Sequence, residues 1–213
     1  MVKITNIVFS GTKACIELDN GNQLWLTKKD LADSFLKRGT EYDDDSFYEI
    51  IRLYQYPRAL NQAVTMLARR PYSRNEIKKR LKIHKYSPDV CDLVLYKLEK
   101  ERLINDIDFC DQWIQYRINH NYGPSRIRQE LRSKGVEEKI IEDALSIQDE
   151  TDYEEHSLKL AQKAWNSICS GKDQYKEKQK VIAFLVRKGY SWEQAKKAFF
   201  QAEQQIKKQH DDA

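Results

Sequence analysis

Glycine and proline are scarce, seven and four in 213 residues. Few chain breakers mean long helices joined by short connections. Long apolar runs are missing as well. None approaches the roughly 18 residues a membrane-spanning helix needs, so we expect no membrane association. No charged head with an apolar core and a small-residue cleavage site opens the chain, so no secretory signal is read. The four cysteines, Cys15, Cys91, Cys110 and Cys169, are far apart and form no CxxC pair. They read as scattered thiols of a cytosolic protein rather than as a disulfide frame or a zinc site.

Catalytic signatures are missing too. There is no GxGxxG, HExxH or GxSxG. Gly11-Thr12-Lys13 ends like a phosphate-binding loop, but Asn6 stands where its first glycine belongs. His84, His120, His156 and His210 are too widely spaced for a metal cluster. Asp43-Asp44-Asp45 suits a helix N-terminus better than a cation. Asn105-Asp106-Ile107-Asp108 precedes an apolar-periodic stretch and reads as a helix cap. We therefore expect no cofactor, no metal and no catalytic residue. A metal-dependent nuclease built on Asp106, Asp108 and Asp111 is the enzymatic alternative.

What the chain has is charge and repetition. A third of it is charged, its net charge is +4, and its mean hydropathy is -0.78. The charge is blocked. Arg69 to Lys85 holds eight Lys/Arg and one acid, Glu142 to Glu155 seven acids and no Lys/Arg, and Lys159 to Lys208 twelve Lys/Arg and four acids. Basic blocks of this density point to nucleic acid or to an acidic protein surface.

The repeat shows best in Gly123-Pro124 through Lys134-Gly135-Val136. Ile127 and Leu131 align with Ile77 and Leu81 upstream and with Val181 and Leu185 downstream. Five residues after each leucine stands Tyr86, Val136 or Tyr190; thirteen after it stands Val94, Ala144 or Ala198. A unit of about 50 residues is thus used three times. Each unit predicts three helices. In the first, Leu60, Ala63, Val64 and Leu67 mark one helix. A capping box at Ser73-Arg74-Asn75-Glu76 opens the next, and Ser87-Pro88 opens the third. In the second, Gly135 fits the left-handed residue that ends a helix, and Gly189 matches it in the third, where Ser191-Trp192-Glu193-Gln194 is another capping box. The first unit has Lys85 at that position. Such units lean on their neighbours, and we expect an elongated, slightly curved array with boundaries at 58–105, 106–150 and 151–213.

Residues 1–57 differ. Val2, Ile4, Ile7 and Val8 predict a strand. Cys15-Ile16-Glu17-Leu18 leads into the turn signal Asp19-Asn20-Gly21-Asn22. A three-residue loop pairing Leu18 with Leu24 and Ile16 with Leu26 keeps apolar residues on one face. Thr27 to Asp30 predicts a helix start, with Gly39 its stop. Ser46-Phe47-Tyr48-Glu49 reads as a capping box for a helix carrying Phe47, Ile50, Ile51 and Tyr54. So few strands must dock on helices. The fold class expected is mainly α, three tandem helix-turn-helix-like repeats behind a small β-hairpin region.

On a 3.6-residue period, Lys78, Lys79 and Lys82 point away from the stripe of Ile77 and Leu81. The columns of Lys78 and Lys82 hold Arg128 and Arg132 in the second unit, and Ile182 and Val186 in the third. Repeats one and two should expose cations where repeat three hides apolar residues. The candidate binding residues are Arg69, Arg70, Arg74, Lys78, Lys79, Lys82, Lys85, Arg126, Arg128, Arg132 and Lys134. A short helix pair with one basic helix also has the shape of a groove-binding module. Tyr72 and Tyr122, just before two of these helices, either stack on bases or pack on the core.

The segments Leu67-Ala68-Arg69-Arg70-Pro71-Tyr72-Ser73-Arg74-Asn75-Glu76-Ile77 and Lys78-Lys79-Arg80-Leu81 resemble the opening motif of the RecX regulatory proteins. Leu98-Glu99 through Leu103-Ile104-Asn105-Asp106 with Phe109, and Gly123-Pro124 through Lys134-Gly135-Val136, resemble the same family in the same order. The resemblance covers about residues 58–206 and is weakest in the third unit. Lys85 departs from it, standing where the family usually has glycine. The resemblance implies a bacterial cytoplasmic modulator of the RecA recombinase, active in DNA repair, recombination and the SOS response. It implies three three-helix repeats that bind in the groove of the RecA–DNA filament and limit ATP hydrolysis and strand exchange. The expected partners are the RecA filament and single- or double-stranded DNA, with the protein itself a monomer. The alternative is a stand-alone helix-turn-helix DNA-binding regulator.

Overall fold

Ten helices and four short strands make up the described residues of the computed structural model, 1–148, 150–168 and 173–211. The chain divides into two units, Met1–Asn105 and Asp106–Ala213.

The first unit opens on an antiparallel sheet of β1 (Val2–Ser10), β2 (Lys13–Leu18), β3 (Gln23–Thr27) and β4 (Glu41–Tyr42), in the order β3-β2-β1-β4. Its hairpin loop has three residues as expected, but the register is displaced by two. Ile16 pairs with Leu24 and Ala14 with Leu26, and Leu18 N–H donates to Asn22 O. The loop is Asp19–Gly21, with Gly21 at φ +81°. A three-residue hairpin loop wants its left-handed residue last, and this register gives that place to glycine instead of Asn22. A two-residue shift preserves the buried face, so Ile4, Ala14, Ile16, Leu18, Leu24 and Leu26 still pack together, against Phe47 and Ile51.

Helix α1 (Lys28–Asp33) starts at the expected Thr27 cap, whose Oγ1 accepts from Asp30 N–H. It stops at Ser34, not at Gly39. Gly39 N–H donates to Ile4 O instead, tying the loop before β4 to β1. Helix α2 (Asp44–Leu67) corrects two expectations. Its N-cap is Asp43, whose carboxylate accepts from Ser46 N–H, so Ser46 lies inside the helix. The segments on either side of residue 58 form one helix, with Pro57 inside it.

The second half of α2 packs with α3 (Arg74–Ile83) and α4 (Pro88–Lys100) around Ile77, Leu81, Val90, Val94 and Leu98. The Ser73/Glu76 capping box closes in both directions. Ser87 stands at the N-cap of α4 without a side-chain cap bond; its N–H donates to Gln55 Oε1, while Gln55 Nε2 donates to Trp25 O. Lys13 Nζ donates to His84 O at 2.6 Å, and Arg58 pairs with Asp30 at 2.7 Å. The sheet is thereby docked on the first repeat.

The second unit holds α5 (Asp106–Asn119), α6 (Pro124–Lys134), α7 (Glu138–Ser146), α8 (Glu150–Ile168), α9 (Gln174–Arg187) and α10 (Trp192–Asp211). Ile114, Ile127, Leu131, Ile141, Val181, Leu185, Ala195 and Ala198 share one core. Two repeats merge here because their backbones meet. Gly123 N–H donates to Lys188 O, and Ser125 N–H donates to Gly189 O. A Cβ on Gly123 would overlap the Gly189 carbonyl, and one on Gly189, which sits at φ +100°, would strike Arg126. The Ser191/Gln194 capping box forms as expected. Cys169 lies outside the described residues.

Candidate nucleic-acid interface

The three stripes behave as the repeat requires: Ile77, Leu81, Ile127, Leu131, Val181 and Leu185 are fully buried. That orients the columns beside them. Lys78 and Arg128 do not stand free, however. Lys78 Nζ lies 2.6 Å from Asp92 on α4. Arg128 holds Glu142 on α7 through Nε at 2.5 Å and Nη2 at 3.0 Å. Each pair spans fourteen residues at the same place in its repeat. Arg132 pairs with Glu138 in the same way, Nε to Oε2 at 2.7 Å. Hydrogen bonds from these cations hold Asp92, Glu138 and Glu142 below the usual carboxylate range. The expectation of an open basic column in repeat two is thus corrected. Glu138 and Glu142 reach it because α6 and α7 pack side by side.

The remaining predicted residues sort by environment. Arg70 lies 3.6 Å over the Tyr72 ring and pairs with Glu76 at 3.3 Å. Arg74 pairs with Glu99 at 2.7 Å, and Arg126 with Glu130 at 3.0 Å. Lys85 has φ +68°, the left-handed region, and its Nζ lies 5.9 Å from the Trp25 ring centroid. A lysine here bears strain that glycine would not, and its side chain gains an aromatic contact in return. Arg69, Lys79 and Lys82, with neighbouring Arg80, are exposed and have no ion-pair partner among the described residues. Uncompensated charge in the set therefore gathers on α3 and the turn before it.

In the third repeat the columns are apolar, but only half hidden. Ile182 is 3% exposed, whereas Val186 is 42% exposed, which corrects the expectation for Val186. Tyr72 and Tyr122 pack against their cores. No three His, Cys, Asp or Glu side chains gather into a metal site among the described residues. Burial pushes the Cys110 thiol up to about 11 and raises Cys15 and Cys91 as well, away from the reactive thiolate form. No described helix is long and apolar enough to cross a membrane.

One feature of this surface was missed in the sequence reading. Along α5, Phe109, Trp113, Tyr116 and His120 form a continuous ladder of rings, with centroids 6.1, 5.8 and 4.3 Å apart. Lys134 lies 4.0 Å over Trp113. Arg117 lies 5.6 Å from Trp113 and 3.9 Å from Tyr122, and Lys188 is 4.5 Å from Tyr122 on its other flank. The signal was present in the spacing 109, 113, 116, 120, which lies on one helical face.

The chain matches three family models, described as the first, second and third three-helix domains of RecX, over residues 59–98, 105–145 and 151–199. It is 30% identical over 199 residues to the regulatory protein RecX of Streptococcus gordonii, covering 93% of this chain and 76% of that one. It is 28% identical, with the same coverage, to the regulatory protein RecX of Streptococcus sanguinis. A solved structure described as the crystal structure of regulatory protein RecX superposes with a TM-score of 0.64 at 26% identity, covering 96% of this chain and 100% of that one. The crystal structure of RecX from Lactobacillus salivarius gives the same TM-score over 70% of this chain and 97% of that one; at 24% identity it supports the fold alone.

Proposed function

The chain belongs to the RecX family of regulatory proteins, and from that premise we propose that it is a non-enzymatic regulator of RecA. It binds the RecA–DNA filament and restrains ATP hydrolysis and strand exchange, as a cytoplasmic monomer. Its working parts are the repeats at 58–105, 106–150 and 151–213, behind the region 1–57.

The observation that carries this reading is the uncompensated charge on repeat one. Arg69, Lys79, Arg80 and Lys82 are exposed, with no carboxylate partner among the described residues. Like charges so close repel one another unless a partner neutralises them. A nucleoprotein filament offers phosphates and acidic side chains along its length. Contacts spread over tandem repeats then add through effective concentration, so each one needs to be only modest.

The test is ATP hydrolysis by RecA on single-stranded DNA with this protein added. Inhibition at stoichiometric amounts is expected. Undisturbed hydrolysis, together with tight sequence-selective binding to duplex DNA alone, would replace this reading with a stand-alone DNA-binding regulator.

A further inference from the structure

We infer that the outer edge of β1, from Asn6 to Ser10, takes up an extended acidic segment of a partner protein as an added strand. This surface is separate from the cations of repeat one on which the reading above rests.

β1 lies inside the sheet only at its start. Val2 and Lys3 pair with β4. Ile4 is bonded through both backbone groups, its N–H donating to Thr40 O and its carbonyl accepting from Gly39 N–H. Thr5 O accepts from Arg38 Nε at 3.1 Å. From Asn6 onward, the side away from β2 has no backbone partner among the described residues. The ladder gives the direction of the free groups. Leu18 N–H donates to Asn22 O, toward β3. Bonds alternate along an antiparallel strand, so Glu17, Cys15 and Lys13 turn theirs toward β1. Their partners are Asn6, Val8 and Ser10, which leaves the N–H and C=O of Ile7 and Phe9 pointing outward. Such a row of groups is a template for a further strand.

Val8 and Phe9, adjacent in a strand, lie on opposite faces. They are 43% and 60% exposed, so an added strand gains apolar contact on both faces. Charge decides what kind of strand it is. Lys28 Nζ lies 5.6 Å from the Phe9 ring centroid, and Arg38 stands at Thr5. Each end of the open stretch thus carries a cation. Neither has a carboxylate partner among the described residues, and a ring or a carbonyl leaves the charge in place. Between residues 28 and 38, Lys28, Lys29, Lys37 and Arg38 stand against Asp33, because Asp30 is taken by Arg58. An acidic strand matches both ends. A second copy, paired antiparallel along the same edge, would set the Lys28 of each beside the Arg38 of the other, like charge against like. A phosphate backbone offers acceptors to the cations but no donor to the outward carbonyls of Ile7 and Phe9.

The experiment uses the full chain without RecA or DNA. The probe is a labelled, end-capped eight-residue peptide of alternating glutamate and valine. Fluorescence anisotropy gives its affinity, and amide exchange followed by NMR reads Ile7 and Phe9. Both amides should exchange at least about tenfold more slowly in the complex. A lysine–valine peptide, and a glutamate–valine peptide N-methylated at alternate residues, should bind at least about tenfold more weakly. Lys28→Glu should weaken the acidic peptide about three- to tenfold and strengthen the basic one. That substitution puts an acid in the first turn of α1, where the helix dipole favours it, so the fold is retained. The thermal transition of the variant is recorded beside the parent's.

The proposal is overturned if the acidic peptide binds no better than the basic or the N-methylated one, or if the Ile7 and Phe9 amides exchange as before. It is also overturned if an oligothymidylate protects the two amides and the peptide does not, which gives the edge to nucleic acid. A free chain that sediments as a dimer with both amides already protected gives it to a second copy and overturns the proposal as well. Because RecA is absent, this result and the inhibition of RecA stand or fall separately.

Discussion

Lys78 and Asp92 form an ion pair that the second repeat reproduces as Arg128 and Glu142, fourteen residues apart in both cases. The third repeat has Ile182 and Lys196 at these positions. The repeat thus carries a conserved geometry with changing chemistry.

Cations already paired have little to give a partner. Lys78→Gln combined with Arg128→Gln should therefore change the salt slope of filament binding by less than about one. Lys79→Gln, Arg80→Gln and Lys82→Gln together should lower it by about two to three. Co-sedimentation with filaments over a salt series measures both. An equal loss from the two sets would show that the intramolecular pairs open on binding.

The apolar columns of repeat three should separate in stability. Ile182 lies in the core, so Ile182→Ala should cost about 2–4 kcal/mol. Val186 is largely open, and Val186→Ala should cost less than about 1 kcal/mol. Denaturant melts of the two variants make the comparison.

Backbone contact between repeats two and three should make glycine indispensable at the junction. Gly123→Ala puts a methyl against backbone atoms on α9's exit turn and should cost about 2–3 kcal/mol. Gly39→Ala, with a left-handed backbone but open space around it, should cost only about 1 kcal/mol. Equal losses in urea melts would remove the close approach as the cause.

Tyr153 is buried and its hydroxyl has no hydrogen-bond partner among the described residues. Burial pushes it up to about 12 from an ordinary 10.0. The raised value favours the neutral phenol in the fold. Its contribution is therefore complete below pH 10 and is lost as pH climbs from 10 through 12, by about 2 kcal/mol. Tyr153→Phe should remove that part of the alkaline loss. At neutral pH it should leave stability unchanged or raise it by up to about 1 kcal/mol, because an unpaired buried hydroxyl is removed. Melts of parent and variant at pH 8 and pH 11.5 provide the test.

Local signals in the chain were reliable where a short stretch contains all the atoms involved. Ser73 and Glu76, or Ser191 and Gln194, satisfy each other within one turn, so their capping boxes were legible. The left-handed turn at Gly135 and Gly189 was legible for the same reason, and Lys85 adopts it despite its side chain. Signals failed where competing partners had to be weighed. Ser46 looked like a cap because of Glu49, yet Asp43 lies three residues earlier and takes the role. Tyr116 and His120 carried no apolar signal, so the α5 ladder passed unnoticed although its spacing was in plain view.

Periodicity alone was enough to establish a triplicated three-helix module, because burying Ile127 and Leu131 leaves a helix one orientation. Which cations stay available was another matter. Lys78, Arg128 and Arg132 meet acids six to fourteen residues away only after α3 packs on α4 and α6 on α7. An ion pair across two helices depends on interhelical distance, and no single-helix pattern contains that distance. The same reason explains why Val186 stays open while Ile182 is covered: the stripe gives a residue its direction, and the neighbouring helix determines how far the cover extends.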